Sequence, residues 1–326
     1  MNSIAICLSS DNNYVQHLGA TISSVLKNKN SDEFIKIFVI DGGISDENKI
    51  KLSNFENEYD CKINYVLPDM EKLSNCNTFK GDYISLVTYY RLLIPEIIPN
   101  ETRVIYLDCD IIVRHSLGNL YKKDFGDSLI LGVRDVSEEV HSKRLGLKRY
   151  INAGVLLINS KRMREQNSVE KMFNWIITNQ DKIECHDQDV INASLSGEIG
   201  YVEDMYNVQV MRDKEGTFDE IEDPVILHFI SPKKPWTVWK PLNSTRWSKE
   251  YFKALENTPW EGFIRKYKKQ SMWYYPLRVF YPTGSVKTAV RSIFSIRNSD
   301  DKSQKIITLL GIKFKTKRTK EINAKH

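Results

Sequence analysis

The sequence predicts an α/β fold in which a parallel or mixed sheet is covered on both faces by helices. Short runs rich in β-branched residues alternate with segments of helical periodicity through the first two-thirds of the chain. The runs are apolar at successive positions, which is typical of strands that are buried on both faces. They are IAICL (4–8), IKIFVI (35–40), INYVL (63–67), RVIYLD (103–108), LILGV (129–133), AGVLLIN (153–159) and VILHF (225–229).

Three helical segments are predicted between these strands. Leu18, Ile22, Val25 and Leu26 have the spacing of one helix face. Ser45 is a predicted N-cap, because two acidic residues follow it where the first turn of a helix would begin. A third amphipathic helix is predicted from Met163 through Ile177. Alternating strands and helices indicate a sheet with a helix layer on each side.

The composition excludes several classes of protein. The chain has 326 residues, of which 41% are hydrophobic and 27% are charged, as in ordinary globular proteins. Its five cysteines are scattered, with no CxxC pair, so neither a disulfide framework nor a zinc cage is indicated. No run approaches the ~18 apolar residues of a membrane span, and no signal sequence precedes the first strand. We therefore expect a cytoplasmic protein.

Three polar segments follow predicted strands, and a fourth opens a predicted helix. In such sheets, ligands bind outside the carboxyl ends of the strands, so these segments are the candidates for a site. Neither a GxGxxG nor a GxxxxGK[ST] motif is present, which removes the fingerprints of dinucleotide and P-loop binding. The four segments are SSDNNY (9–14), DCD (108–110), DQD (187–189) and HFISPKKPW (228–236).

Asp108 and Asp110 are a candidate site for a divalent cation. Alternate residues of an extended backbone face the same way, so the two carboxylates lie on one side. A DxD triplet arises easily by chance, and a solvated turn is the alternative, but this triplet ends one apolar run and precedes another. His228 alone would be a satisfied core histidine; together with the two carboxylates it suits manganese.

The other polar residues are weak evidence when each is taken singly. Lys233 and Lys234 could place cations against phosphate, or could simply be solvated. Gln188 lies where acidic neighbours favour a helix start, and Asn152 could satisfy nearby backbone groups.

Taken together, the motifs resemble glycosyltransferase family 8 over roughly residues 1–240. The segments that carry the resemblance are DNNY, TYYRLLIPEII, VIYLDCDIIV, INAGVLLIN, HDQDVIN and HFISPKKPW, in that order. The resemblance implies a GT-A fold, that is, a Rossmann-like mixed sheet with helices on both faces. It also implies transfer of glucose or galactose from a UDP-sugar, with retention of anomeric configuration and with Mn²⁺ as cofactor, Mg²⁺ being possible. Many bacterial members build lipopolysaccharide, capsule or adhesin glycans, so a cell-surface glycan or glycolipid is the expected acceptor.

The resemblance also assigns roles to individual residues. It places Asp108, Asp110 and His228 on the metal, and the segment with Ser10, Asp11, Asn13 and Tyr14 on the nucleoside. Lys234 and Ser231 are placed on the diphosphate, although Ser231 stands where the family commonly has a glycine that allows close backbone approach. The residues placed around the donor sugar and the reaction centre are Arg91, Asp135, Asn152, Asp187 and Gln188.

Two other functions remain open from the residues alone. A haloacid dehalogenase-like phosphatase could use Asp108 as nucleophile with Mg²⁺, although that motif normally ends the first strand and not the fourth. A non-catalytic carbohydrate or membrane-surface binder could keep the fold without turnover.

The last 56 residues are predicted to be separate from a catalytic domain at residues 1–270. Residues 271–326 carry 12 basic and 3 acidic side chains, a net charge of +9, whereas the rest of the chain is at −4. The tail opens with interfacial aromatics, continues with a helix capped by Ser285, and ends in a basic cluster. This composition predicts association with an anionic membrane, at the inner face of the plasma membrane, and not with nucleic acid. The residues concerned are Trp273, Tyr274, Tyr275, Phe280 and Tyr281; Val286, Val290 and Ile293; and Lys313, Lys315, Lys317, Arg318 and Lys320.

Overall fold

A computed structural model describes most of the chain and divides it into two compact units. The first unit comprises Met1–Pro235 and Ser244–Glu261, and the second comprises Trp236–Asn243 and Gly262–His326. The described residues are 2–76, 86–211, 218, 220–230, 232, 234–236 and 247–267, together with the backbone of 294–298, 304–309 and 312–317.

A seven-stranded mixed sheet forms the centre of the first unit. Its order is β3-β2-β1-β4-β7-β6-β8, and every neighbouring pair is parallel except β7 with β4 and with β6. The seven predicted apolar runs all contain strands, six of them in this sheet. The strands are β1 (Asn2–Ser10), β2 (Glu33–Asp41), β3 (Cys61–Val66), β4 (Val104–Leu107), β6 (Ile130–Arg134), β7 (Ile151–Ile158) and β8 (Ile199–Tyr201).

A second, three-stranded sheet brings distant segments together beside the end of β4. It consists of β5 (Ile111–Val113), β9 (Val208–Gln209) and β10 (Ile226–His228), in the order β5-β10-β9. In this register His228 lies opposite Ile111 on one side and opposite Gln209 on the other. The backbone N–H of Phe229 also donates to the carbonyl oxygen of Asp110 at 3.0 Å. The small sheet therefore holds His228 next to the DCD turn.

Helices cover the sheet. Alternate residues of β1, including Ala5 and Cys7, belong to a buried cluster with residues of α7 and α8, whereas α1 contacts β1 and β5. The helices are α1 (Val15–Asn28), α2 (Asp46–Glu58), α3 (Ile94–Ile97), α4 (Gly118–Tyr121), α5 (Glu138–Leu145), α6 (Ser160–Glu165), α7 (Ser168–Thr178), α8 (His186–Ser194) and α9 (Ser248–Leu255). A 3₁₀ helix spans Leu86–Leu93.

Three sequence predictions about helices can be compared directly with this result. The first helix is confirmed as α1, in which Leu18, Ile22, Val25 and Leu26 are all buried. The N-cap is confirmed, because the Ser45 hydroxyl oxygen accepts a hydrogen bond from the Asn48 N–H at 3.4 Å. The single helix from Met163 through Ile177 is wrong. Asn167 adopts a left-handed backbone with φ of 51°, which separates the end of α6 from the start of α7. Apolar periodicity survives such a break, so the pattern did not reveal it.

A three-stranded antiparallel sheet lies in the second unit. Its strands, in order, are β11 (Phe294–Asn298), β12 (Gln304–Leu309) and β13 (Ile312–Lys317). Strands were not predicted here. Lys313, Lys315 and Lys317 occupy alternate positions along β13. The aromatic segment at 271–281 and the helix predicted after Ser285 lie outside the described residues.

Candidate active site

A cavity of about 510 Å³ opens at the carboxyl ends of β1 and β4, where the sequence places the site. Most of the predicted site residues line it. Asn13 and Asp135 do not, and Ser231 lies outside the described residues. The predicted residues on the cavity wall are Ser10, Asp11, Tyr14, Arg91, Asp108, Asp110, Asn152, Asp187, Gln188, His228 and Lys234.

Contacts from α1 and β1 hold the DCD turn in place between β4 and β5. The hydroxyl group of Thr21 on α1 donates to the carbonyl oxygens of Cys109 and Ile111, at 3.1 and 2.9 Å. The buried thiol of Cys109 contacts the carbonyl oxygen of Ser9 at 3.2 Å. These contacts fix the central residue of the turn inward, so that both flanking carboxylates point into the cavity.

Asp108, Asp110 and His228 form a group that fits a divalent cation. Their candidate ligand atoms all lie within 4.8 Å of one another. His228 Nε2 is 3.8 Å from Asp108 Oδ2 and 3.2 Å from Asp110 Oδ1. Two carboxylate oxygens and an imidazole nitrogen are ligands that suit Mn²⁺, with Mg²⁺ favouring the oxygens.

Gly154 makes the close approach of these groups possible. A Cβ atom at this position would lie 2.1 Å from His228 Cε1 and 2.8 Å from Asp108 Oδ2. Both distances are far inside van der Waals contact, so any side chain here would displace two of the three candidate ligands. The glycine of INAGV is therefore part of the candidate metal site.

Lys234 pairs with one of the candidate ligands. Its Nζ lies 2.6 Å from Asp110 Oδ2, and it also donates to the carbonyl oxygen of Phe229. Burial would raise the pKa of Asp110, but Lys234 and His228 outweigh burial and hold that pKa well below its usual range. Asp110 is thus an anion in the folded protein.

Asp108 is held by two donors on its other oxygen. The Tyr106 hydroxyl donates to Asp108 Oδ1 at 2.8 Å, and Arg91 Nη2 lies 2.8 Å from the same oxygen. Arg91 also stacks on the Tyr106 ring, with its Cζ 4.4 Å from the ring centroid. Oδ1 is therefore occupied by the protein, and Oδ2 is the oxygen that faces His228.

Arg91 joins the metal group to the residues at the start of α8. Its Nε lies 2.9 Å from Asp187 Oδ2, and its Nη1 donates to the carbonyl oxygen of Ala153. Burial would lower the pKa of Arg91, but Asp108 and Asp187 outweigh burial and raise it. Burial likewise raises the pKa of Asp187, against the opposing effect of Arg91. Arg91 therefore acts mainly as a buried link between two carboxylates.

Gln188 has both ends of its amide fixed. Its Oε1 accepts from the backbone N–H of Ala153 at 3.0 Å and from Asn152 Nδ2 at 3.2 Å. Its Nε2 donates to Asp135 Oδ2 at 3.2 Å. Asp135 thus lies behind the cavity wall, where it supports both Gln188 and Asn152.

The predicted nucleoside segment is built differently, as an exposed loop that leads into α1. Asp11 Oδ1 accepts from the backbone N–H of Tyr14 at 2.9 Å, and Asp11 Oδ2 accepts from Asn13 Nδ2 at 3.3 Å. Asn13 is exposed, and Tyr14 is 37% exposed.

The sequence reasoning missed several residues of this site. Tyr106 could have been found, because it lies two positions before Asp108 and so shares its face of the strand. Asn207, which contacts both His228 and Asn152, carries no local signal. Glu184, Cys185 and His186 also line the cavity, at the start of α8.

Comparison with known proteins decides the family. The model of glycosyl transferase family 8 matches residues 5–240, which include every candidate ligand described above. The chain belongs to glycosyltransferase family 8. It is therefore a glycosyltransferase and not a haloacid dehalogenase-like phosphatase.

Relatives from two bacteria illustrate the membership. A putative glycosyltransferase of Haemophilus influenzae is 32% identical over 243 residues, covering 71% of this chain and 72% of the relative. The lipopolysaccharide 1,3-galactosyltransferase of Salmonella typhimurium is 27% identical over 265 residues, covering 77% of each chain.

A solved structure confirms the predicted GT-A fold. The galactosyltransferase LgtC, solved in complex with donor and acceptor sugar analogs, superposes with a TM-score of 0.69. The match covers 80% of this chain and all of LgtC, at 24% sequence identity.

Proposed function

We propose that this glycosyltransferase transfers glucose or galactose from a UDP-sugar to a cell-surface glycan or glycoconjugate, with retention of configuration and with Mn²⁺ as cofactor. The observation that carries the proposal is the group formed by Asp108, Asp110 and His228, with Lys234 beside it, in a cavity that Gln188 also lines. The galactosyltransferase relatives support a hexose donor.

The charged residues of the cavity suit a diphosphate leaving group. A divalent cation held by Asp108, Asp110 and His228 would stabilise the negative charge that develops as the sugar–phosphate bond breaks. Lys234 lies at the same wall, where it already donates to Asp110 and to the Phe229 carbonyl, and its positive charge suits a phosphate. These interactions strengthen as charge develops, so they favour the transition state over the bound substrate.

Retention is what the family resemblance implies, and it can arise through a covalent glycosyl-enzyme or through same-face attack. Among the described residues beside Gln188, no side chain is available as a nucleophile for the covalent route. An amide is a poor nucleophile, and both neighbouring carboxylates are engaged. Asp187 pairs with Arg91 and Thr88, and Asp135 accepts from Asn152, Gln188 and the Ser137 N–H. We therefore expect same-face attack on an oxocarbenium-like ion pair, without a covalent glycosyl-enzyme.

A transfer assay tests this function. Purified protein is incubated with UDP-glucose or UDP-galactose, Mn²⁺ and a panel of glycan acceptors, with EDTA as the control, and release of UDP is followed. Proton NMR of early product then gives the anomeric coupling constant. We expect UDP release with one donor that stops in EDTA, and an α-linked product. A β-linked product would contradict retention, and no turnover with any UDP-sugar would favour a non-catalytic binder.

We also propose that the tail binds an anionic membrane surface and places the enzyme, as a peripheral cytoplasmic protein, at the inner face of the plasma membrane. In the described part of the chain, no helix has both the length and the apolarity to span a bilayer. The net charge of +9 in residues 271–326 and the three lysines at alternate positions of β13 support surface attachment.

Cosedimentation of the full chain with phosphatidylglycerol vesicles at low salt tests attachment. Replacing Lys313, Lys315 and Lys317 together with glutamine should reduce the bound fraction, since each basic residue near the surface contributes about 1 kcal/mol. The same change should leave UDP binding intact. A full-length protein that does not cosediment would contradict the proposal.

A further inference from the structure

Asn207 lies behind the candidate metal site and connects it to the sugar side of the cavity. Its side chain is buried, and it follows a 3₁₀ turn at Asp204–Tyr206. Asn207 Oδ1 is 3.1 Å from His228 Nδ1, and Asn207 Nδ2 donates to Asn152 Oδ1 at 3.0 Å. Asn152 in turn contacts Asp135 and Gln188. A continuous chain of hydrogen bonds therefore runs from the metal histidine to Gln188.

The direction of each hydrogen bond in this chain is determined. Asn152 Oδ1 accepts from the backbone N–H of Gly154 at 3.1 Å, and a backbone N–H can only donate. Asn152 Nδ2 faces Asp135 Oδ2 at 3.0 Å, and a carboxylate only accepts. Both ends of the Asn152 amide are thus fixed, and the group of Asn207 that faces Asn152 Oδ1 must be its Nδ2.

The orientation of Asn207 then determines the tautomer of His228. With Nδ2 turned towards Asn152, Asn207 presents its Oδ1 to His228 Nδ1, and an amide oxygen only accepts. Nδ1 must therefore carry a proton. In the neutral imidazole, Nε2 is then the nitrogen that offers a lone pair on the side of Asp108 and Asp110, and this is the tautomer that ligates a metal there.

We propose that Asn207 is a positioning residue, which holds His228 in its metal-binding tautomer and links the metal site to the Asn152–Gln188 pair. Metal-ligating histidines generally donate their other ring N–H to a fixed acceptor, and loss of that acceptor weakens metal binding by about 10- to 100-fold. Asn207 also donates a hydrogen bond to Asn152, so its two roles, as acceptor for His228 and as donor to Asn152, can be tested by separate substitutions. This inference rests on the metal site of the proposed function.

Two substitutions separate the two roles of Asn207. Asn207→Leu has a similar volume but removes both the acceptor and the donor, so Mn²⁺ affinity in the presence of UDP should fall by about 10- to 100-fold. Asn207→Asp keeps an acceptor for His228 but places a second acceptor against Asn152 Oδ1. Its Mn²⁺ affinity should stay close to that of the native protein while turnover falls by about 10-fold or more.

Asn192→Leu is the matched control for the loss of a buried asparagine. Asn192 is buried and hydrogen-bonded to the backbone of Ile151 and Gln188, but it does not contact His228. We expect Asn192→Leu to lower thermal stability and to leave Mn²⁺ affinity unchanged. A purely structural role for Asn207 would instead make both asparagine variants alike.

The readouts are electron paramagnetic resonance of free Mn²⁺ during titration and ¹⁵N NMR of histidine-labelled full-length protein with Mg²⁺ and UDP. We expect His228 to show a protonated Nδ1 and an unprotonated Nε2. Either the opposite tautomer or an Asn207→Leu variant that binds Mn²⁺ like the native protein would overturn this inference and leave the proposed metal site standing. If Asn207→Leu does not fold, the Mn²⁺ affinity and turnover of Asn207→Asp, together with the tautomer of His228 in the native protein, still test the inference. Native protein that fails to bind Mn²⁺ would overturn both the proposed metal site and this inference.

Discussion

The two sides of the cavity are built in opposite ways. The nucleoside loop, residues 9–14, is exposed at its tip, residues 12–14. Asp11 accepts there from Asn13 and Tyr14 within the loop, and Asn12 Oδ1 accepts from Ser45 and Asn48 at the start of α2. The reaction floor, formed by Asp108, Asp110, Asn152, Gly154, Gln188 and His228 with their buried partners, is an interlocked network. When the polar groups of a network are already oriented, little free energy is needed to reorient them as charge develops in the transition state. An exposed loop can instead adapt its conformation to a ligand. The difference predicts that changes in the floor lower turnover, together with metal-dependent binding where a candidate ligand is disturbed, whereas changes in the loop affect binding alone.

The largest effect should come from the carboxylates of the floor. Asp108→Asn and Asp110→Asn each remove a negative candidate ligand without opening a cavity, so activity should fall by about three orders of magnitude while the protein stays folded. Turnover and thermal unfolding should both be measured, with Asp127→Asn as a control on an exposed aspartate. Near-native turnover in either floor variant would mean that DCD is only a turn.

Gly154→Ala tests the floor through packing. The added Cβ would collide with His228 and Asp108, so Mn²⁺ affinity and turnover should both fall, by about 100-fold. Gly262→Ala is the control, because a Cβ at Gly262 meets no atom within 4 Å. An alanine at 154 that binds Mn²⁺ normally would show that the ligands need not approach so closely.

Gln188→Ala should separate chemistry from nucleotide binding. We expect turnover to fall by about 100-fold, since a fixed polar group beside the reacting sugar is lost, while the affinity for UDP changes little. Steady-state kinetics and calorimetry with UDP measure the two quantities. A variant that loses UDP affinity but not turnover would place Gln188 on the nucleotide.

The smallest effect is expected in the loop. Asn13→Ala removes an exposed side chain that donates to Asp11, so the KM for the UDP-sugar should rise about threefold with kcat unchanged. Asn54→Ala, an exposed substitution on α2, should change neither quantity. A large drop in kcat for Asn13→Ala would contradict the division between loop and floor.

The same division describes what the sequence could predict. The strands in the seven apolar runs were predictable, because a short run that is apolar at successive positions is typical of a buried strand. The DCD turn was predictable because it ends such a run. Asn207 was not, since it meets His228 only through the pairing of β9 with β10. The break at Asn167 depends on one left-handed residue that leaves apolar periodicity intact.

The strands of the second unit had a usable signal. IKFKTK alternates apolar and basic residues with the period of two that is typical of a strand. The segment was interpreted as part of a basic tail because of its charge. Charge describes composition and does not predict backbone conformation, so the strand was missed. Loop residues such as Asn13 were assigned through the resemblance alone, because an exposed polar residue carries no signal of its own in the sequence.

Calorimetry of UDP with and without Mn²⁺ is the most direct test of the central claim, that the cavity is a metal-dependent nucleotide site governed by its floor. The account predicts that native protein binds UDP with Mn²⁺, that EDTA abolishes this binding, and that Asp108→Asn loses it. Equal affinity for UDP in Mn²⁺ and in EDTA would contradict the account.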